Sequence, residues 1–334
     1  MALDVKVIID MKKTYGSLGF GYPLVLVENA ETAKPYTEFS NIADVLEGGY
    51  AESTVAYKVA QLIFQQSNKP SRIAICATSD PATTWLTNAD NIAKEWRQLI
   101  VVSDSGNAST PAEIAAKIEA ATVEKMYYAN VDMPENIATA TKIEGIDTYN
   151  RTVLFYYTPT EDIPCPVAAL VGEVGGLTPG SYTVNNLMLK GLVPLELSQT
   201  EIDAIHKIGG ITFILAAGDG VCSEGKVASG EYIDTIDGND YIKQQLEYKT
   251  QKVFNTNLKV PYTNVGIAML EAAAIGVMQN AQNLGIVDNY TVTYALREQV
   301  SVEDRMNRKY FGANISYEMQ GAIHYIEIYC EATV

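Results

Sequence analysis

From Leu24 to about Leu170 the chain alternates short β-branched or aromatic runs with segments of helical period, and this alternation constrains the fold more than any other feature. The extended runs are LVLVE, RIAIC, QLIVVS, KMYYANV and RTVLFYY. Between them lie STVAYKVAQLIFQQ, NADNIAKEW and PAEIAAKIEAA. Strands separated by helices of this length predict a mostly parallel sheet covered on both faces, a layered α/β arrangement. STPAEI, residues 109 to 114, supplies a capping Ser or Thr, a proline in the first turn and an early Glu, the expected start of a helix.

Around Gly172 the composition shifts to GEVGGLTPGSYTVNNLMLKGLVP, which reads as a long irregular connection. A second region follows. Ser198 and Glu201 have the spacing of a capping box, and the helix they open should stop at the pair Gly209 and Gly210. Strands are expected in ITFILAA, KVASGEYID and YTVTYALRE, and helices near NDYIKQQLEYKTQKVF and from about Asn264 to Leu284. At the two ends of the chain, VKVIIDM places Val5, Val7 and Ile9 on one side of a strand, and AIHYIEIYC reads as another, with Ile326 and Ile328 among its residues. The division expected is therefore a terminal strand and glycine hinge over 1–20, an α/β domain over 21–175, a second domain over 176–314 and a terminal strand over 315–334.

Composition narrows the function. The 334 residues are 47% hydrophobic, enough for a sizeable core, and carry a net charge of −16. An acidic surface repels nucleic acid and anionic lipid, which leaves proteins and small molecules as partners. Cys76, Cys165, Cys222 and Cys330 form no C-x-x-C pair and read as buried thiols of a reducing compartment. The first residues, MALDVKVIIDMKK, lack the pattern of a secretory leader. The most apolar helical stretch, VGIAMLEAAAIGVM, is too short to span a bilayer.

Candidate catalytic groups are few. His206 falls on an amphipathic helix and His324 in an alternating strand, so each reads as an ordinary structural residue. No nucleophile elbow, paired-histidine zinc motif or P-loop is present. GSLGFG, residues 16 to 21, is similar in outline to a dinucleotide fingerprint but leads into a strand, and a hinge is the better reading. DTIDGND, residues 234 to 240, departs from a calcium loop and reads as a turn capping a helix. No cofactor and no metal are expected.

In the second half, EYIDTIDGNDYIKQQLEYKTQKVF, KVPYTNVGIAMLEAAAIGVMQNAQNLGIV and VSVEDRMNRKYFGANISYEMQGAIHYIEIYCEATV resemble the C-terminal part of contractile tail sheath proteins of bacteriophage tails and phage-tail-like particles. YGSLGFGYPLVLVENA and the segment from FSNIADVLEGGY to RIAIC are similar to the family's N-terminal part. The resemblance implies a structural, non-enzymatic subunit of mixed α/β fold, stacked as hexameric rings around an inner tail tube, with baseplate and tail terminator proteins as further partners. It places the protein in a virion tail or tail-like particle assembled in the host bacterial cytoplasm. Terminal strands exchanged between subunits would then be carried by Val5, Val7, Ile9, Ile326 and Ile328. A tube-facing helix in the C-terminal region would hold Arg305, Arg308 and Lys309, a basic cluster at odds with the acidic chain. Ser301, Glu303 and Asp304 suit the start of that helix and Arg308 and Lys309 its end, so helix stabilisation explains part of the pattern. Two other readings are a soluble α/β enzyme that binds a nucleotide or small anion, and a tail-tube or baseplate adaptor.

Overall fold

The computed structural model describes residues 20–104, 108–121 and 123–331. It forms two compact units, residues 1–248 and 249–334. The first is a doubly wound sheet of seven strands in the order β2-β3-β1-β4-β5-β6-β7. These are β1 (Tyr22–Glu28), β2 (Lys34–Phe39), β3 (Ile73–Ala77), β4 (Trp96–Ser103), β5 (Met126–Val131), β6 (Thr152–Tyr156) and β7 (Gly210–Ile211). All pairs are parallel except β2 with β3. The expected parallel α/β sheet is therefore present, with an antiparallel edge that its polar sequence, KPYTEF, hides.

Side-chain alternation along the strands builds two cores. Val25, Val27, Ile73, Ile75 and Phe155 face α2 (Val55–Phe64) and α6 (Val167–Val174), with α1 (Ile42–Glu47) beside α2. Leu24, Leu26, Leu99 and Tyr127 face α3 (Ala82–Thr87), α5 (Pro111–Ala120) and α7 (Gln199–Lys207); the one-turn α4 (Ala89–Ile92) follows α3. The helix starts read from sequence are in place. Thr110 caps α5 and Glu113 returns the bond to the Thr110 N–H at 2.8 Å; Glu201 accepts from the Ser198 N–H at 2.8 Å.

The change at Gly172 is not a break in structure. Helix α6 runs through it, entirely buried, and Gly172 is there for contact: a Cβ would lie 2.7 Å from the Ile63 backbone of α2. The expected boundary at 175/176 falls inside the first unit, and β7 adds residues 210–211 to the main sheet. ITFILAA splits between β7 and β8 (Phe213–Ala216), which pairs with β9 (Asp219–Cys222). KVASGEYID forms only a bridge between Lys226 and Tyr232, because the segment turns at Ser229 and Gly230.

Helix α8 (Ile233–Thr256) belongs to both units, its last turns lying in the second. There α9 (Asn264–Asn283) packs along the antiparallel hairpin of β10 (Val287–Tyr294) and β11 (Ala313–Met319), and α10 (Val302–Met306) lies in the connection between the two strands.

Candidate assembly interface

The first unit guards its sheet edges. β2 carries Lys34, Pro35 and a bulge between Lys34 and Thr37, and β7 is two residues long; both features hinder edge-to-edge pairing. The β10–β11 hairpin is different. Neither strand contains Lys or Pro, and beyond a bulge between Val287 and Tyr290 the strand β10 is regular. Residues 321–331 then leave β11 and pair with no strand among the described residues. The strand expected in AIHYIEIYC is thus not formed among the described residues. Ile326 and Ile328 are 73% and 74% exposed, and Ile323, Tyr325 and Tyr329 are exposed beside them. Tyr325 donates to Glu327 at 2.9 Å and Tyr329 donates to its other oxygen, as residues on one side of an extended segment do. Cys330 is exposed in the same segment, contrary to the reading of four buried thiols; the other three are buried, and burial pushes the Cys165 thiol up to about 12. Val5, Val7 and Ile9 lie outside the described residues.

Charge is divided as unevenly as the edges. The first unit holds seventeen basic and thirty-two acidic side chains, a net −15; the second holds seven and eight, a net −1. Within the second unit Ser301 caps α10 as its spacing predicts, accepting from the Asp304 N–H at 3.0 Å. The helix ends sooner than the basic cluster requires. Met306 is its last residue, Arg308 has φ 56°, and the N–H groups of Arg308 and Lys309 return to the carbonyls of Arg305 and Asp304 at 3.2 and 2.8 Å. This is a Schellman termination with arginine in the left-handed position usually held by glycine. Arg305, Arg308 and Lys309 therefore do not share a helical face; they project from a helix end and the turn after it, with the Lys309 carbonyl held by Tyr262 Oη at 2.8 Å.

DTIDGND is not a turn. It is the first two turns of α8, and two of its carboxylates, Asp237 and Asp240, are buried. Asp237 meets Arg97 and accepts from Tyr182 Oη at 2.8 Å; Asp240 meets Arg97 at 3.0 Å and both terminal nitrogens of Arg151. Burial raises the Asp240 carboxyl, but the two guanidinium groups more than offset it, and its pKa lies below the ordinary range. Burial likewise opposes the Arg97 charge, and Asp237 and Asp240 reverse the effect. His206 is half-buried with Nε2 3.0 Å from Ser223 Oγ; burial lowers its pKa against the pull of Glu224 and Asp203. The hydroxyl of Ser223 also accepts from the Thr212 N–H at 3.1 Å, so the pair ties α7 to β9.

Doubly wound sheets bind anions where neighbouring crossovers diverge, here beyond β1 and β4. That position is filled by the chain itself. Glu28, buried at the end of β1, accepts from the Ala82 N–H at 2.7 Å and from the Ser109 N–H and hydroxyl at 2.7 and 2.6 Å. The donors that would hold a phosphate hold a carboxylate instead. Among the described residues no acidic, His or Cys cluster is arranged for a metal ion, and no helix is long and apolar enough to cross a membrane.

The chain has the fold of contractile sheath proteins, as the sequence resemblance implied. It matches the sheath of an extracellular contractile injection system, the PVC sheath complex in its contracted state, with a TM-score of 0.70 and 11% identity over 100% of this chain and 99% of that one. The contracted helical sheath of the anti-feeding prophage matches with a TM-score of 0.68 and 12% identity over 98% and 99% of the two chains. A chain of the six-fold symmetrised anti-feeding prophage baseplate matches with a TM-score of 0.68 and 11% identity over the whole of both. No protein-family pattern and no curated protein matches the sequence.

Proposed function

We propose that this chain is a contractile tail sheath subunit that polymerises as stacked hexameric rings around an inner tail tube, between a baseplate and a tail terminator, in a virion tail or phage-tail-like particle assembled in the bacterial cytoplasm. The observation that carries the reading is the tail after β11: an extended segment with exposed Ile326 and Ile328 and no strand partner among the described residues, beside an unguarded hairpin that would offer one in another copy. Strand exchange through this tail, and through Val5, Val7 and Ile9 at the other end, keeps subunits connected while their bodies move. The basic turn of Arg305, Arg308 and Lys309 is the proposed contact with an acidic tube surface. Glu28 argues against the enzyme reading, because it occupies the place where this sheet would take a nucleotide phosphate.

Negative-stain microscopy of the purified protein tests the proposal. Long tubes support it. A small closed oligomer that binds a nucleotide favours the enzyme, and single rings favour the adaptor reading, which the match to a baseplate chain keeps in view. Deleting residues 1–12, or the last ten, should leave the body folded and abolish tubes; normal tubes from either truncation would remove strand exchange from the proposal.

A further inference from the structure

Between β10 and β11 the chain makes a connection, residues 295–312, that is fastened by its own hydrogen bonds. The Ala295 N–H donates to the Gly312 carbonyl at 2.9 Å, and the Ala295 carbonyl accepts from Tyr310 Oη at 2.8 Å. The Arg297 N–H donates to Asn264 Oδ1 at 2.8 Å, which ties the connection to the start of α9. What this scaffold presents outward is apolar. Val302 and Met306, 62% and 79% exposed, stand four residues apart on one side of α10, and Leu296 and Phe311 are exposed on either side of the Ala295–Gly312 bond. Charge surrounds them. Arg297, Arg305, Arg308 and Lys309 form no ion pair among the described residues. Two of the connection's three acids are already engaged: Asp304 accepts from Ser301 Oγ at 2.6 Å, and Glu298 accepts from Asn264 Nδ2 at 3.1 Å.

We infer that this connection grips the inner tube through an apolar anchor, Val302 and Met306, with Arg297, Arg305, Arg308 and Lys309 as its rim, so that the tube surface it fits is an apolar spot fringed by carboxylates. The inference rests on the reading of the basic turn as the tube contact, adds Arg297 to that turn's charges, and changes what holds the two partners together. Exposed ion pairs contribute little and fade with salt, whereas a desolvated centre carries most of the affinity of an interface. Met and Arg are among the residue types enriched at such contacts. The charge selects the occupant. Cations without partners call for an acidic face, and the net −16 of the whole chain works against nucleic acid and anionic lipid, which leaves protein. The first unit of another copy is acidic as well, but joins between copies are assigned to strand exchange, whose backbone pairing is persistent. The connection offers side chains alone, which suits the tube, the partner that a contracting sheath lets go.

Co-sedimentation of the full chain with tail tubes isolated from the same particle, below the concentration at which the chain self-assembles, tests the anchor. The double variant Val302→Ala, Met306→Ala should lower the affinity about tenfold or more at low and high salt alike, with an unchanged unfolding midpoint because both side chains are exposed. Arg297→Gln should weaken binding at low salt, and its difference from wild type should vanish at high salt. A photocrosslinking residue in place of Met306 should capture the tube protein. Full tube affinity in the Val302→Ala, Met306→Ala variant, with wild-type binding lost at high salt, would overturn the anchor and leave the electrostatic tube contact standing. If the apolar and the Arg297 variants all bind tubes as wild type does at every salt concentration, both readings fall. A crosslink from position 306 that lands only on another copy of the chain would assign the connection to joints between subunits and overturn the proposal.

Discussion

Arg151, just before β6, grips Asp240 of α8 through both of its terminal nitrogens although the two lie 89 positions apart in the sequence. With Arg97 and Asp237 they balance two positive and two negative charges, three of them buried and Arg151 partly exposed. Removing one member strands the others, so Asp240→Asn should destabilise the chain by about 3 kcal/mol at neutral pH, measured by urea unfolding. The pH dependence has a definite sign. The folded carboxyl titrates below the unfolded one, so its contribution is complete above about pH 4, the unfolded value, and fades as pH falls toward the folded value. The gap between wild type and variant should narrow in acid; a constant gap would mean that packing, not ionisation, sets the loss.

Glu173, buried in α6, accepts from the Ser67 and Asn68 N–H groups at 2.9 and 3.3 Å and from Asn68 Nδ2 at 2.6 Å. Glu173→Ala leaves three donors without an acceptor and should cost about 3 kcal/mol. Thermal unfolding reads it directly, and a change under 1 kcal/mol by the same scale would show that water replaces the carboxylate.

Ala217 and Gly218, with φ 53° and 96°, close the two-residue turn between β8 and β9. Such a turn favours Asn before Gly, and Ala217→Asn should stabilise the chain by about 1 kcal/mol. No gain in denaturant midpoint would indicate that the turn relaxes in solution.

Arg308 separates charge from conformation at the basic turn. Arg308→Gly removes the charge and suits the left-handed backbone, so the chain should become no less stable while binding to an acidic tube weakens. Arg305→Glu with Lys309→Glu should reduce assembly on the tube in a salt-dependent way, and charge reversal on the tube should restore it. Extended sheath built by the double variant with unchanged efficiency would return the cluster to helix termination alone.

The sheet was legible because its strands are apolar runs and its helices begin with side-chain caps, both local signals. Where legibility failed, the deciding partner was distant or absent. DTIDGND looked like a turn because Arg97 and Arg151, which neutralise it, lie 140 and 89 positions away. Gly172 looked like a loop residue because its reason is the neighbouring backbone of Ile63. β2 was missed because an edge strand tolerates Lys, Pro and Glu, the residues that usually signal a loop. Arg308 stands where sequence reasoning looks for glycine, so the helix seemed longer than it is. The tail of residues 321–331 was read as a strand from its alternation, a pattern that the isolated chain leaves unused.

Glu28 sets a limit on what the proposed particle can do. A sheet whose phosphate seat is taken by its own side chain has no port at that place for chemical fuel, and in the proposed particle mechanical work would be loaded while subunits join and released in a single discharge. On this reading the sheath is a spring wound during assembly. Once spent, it should stay short in the presence of ATP, and the cell would renew its capacity by building another particle rather than by resetting the old one.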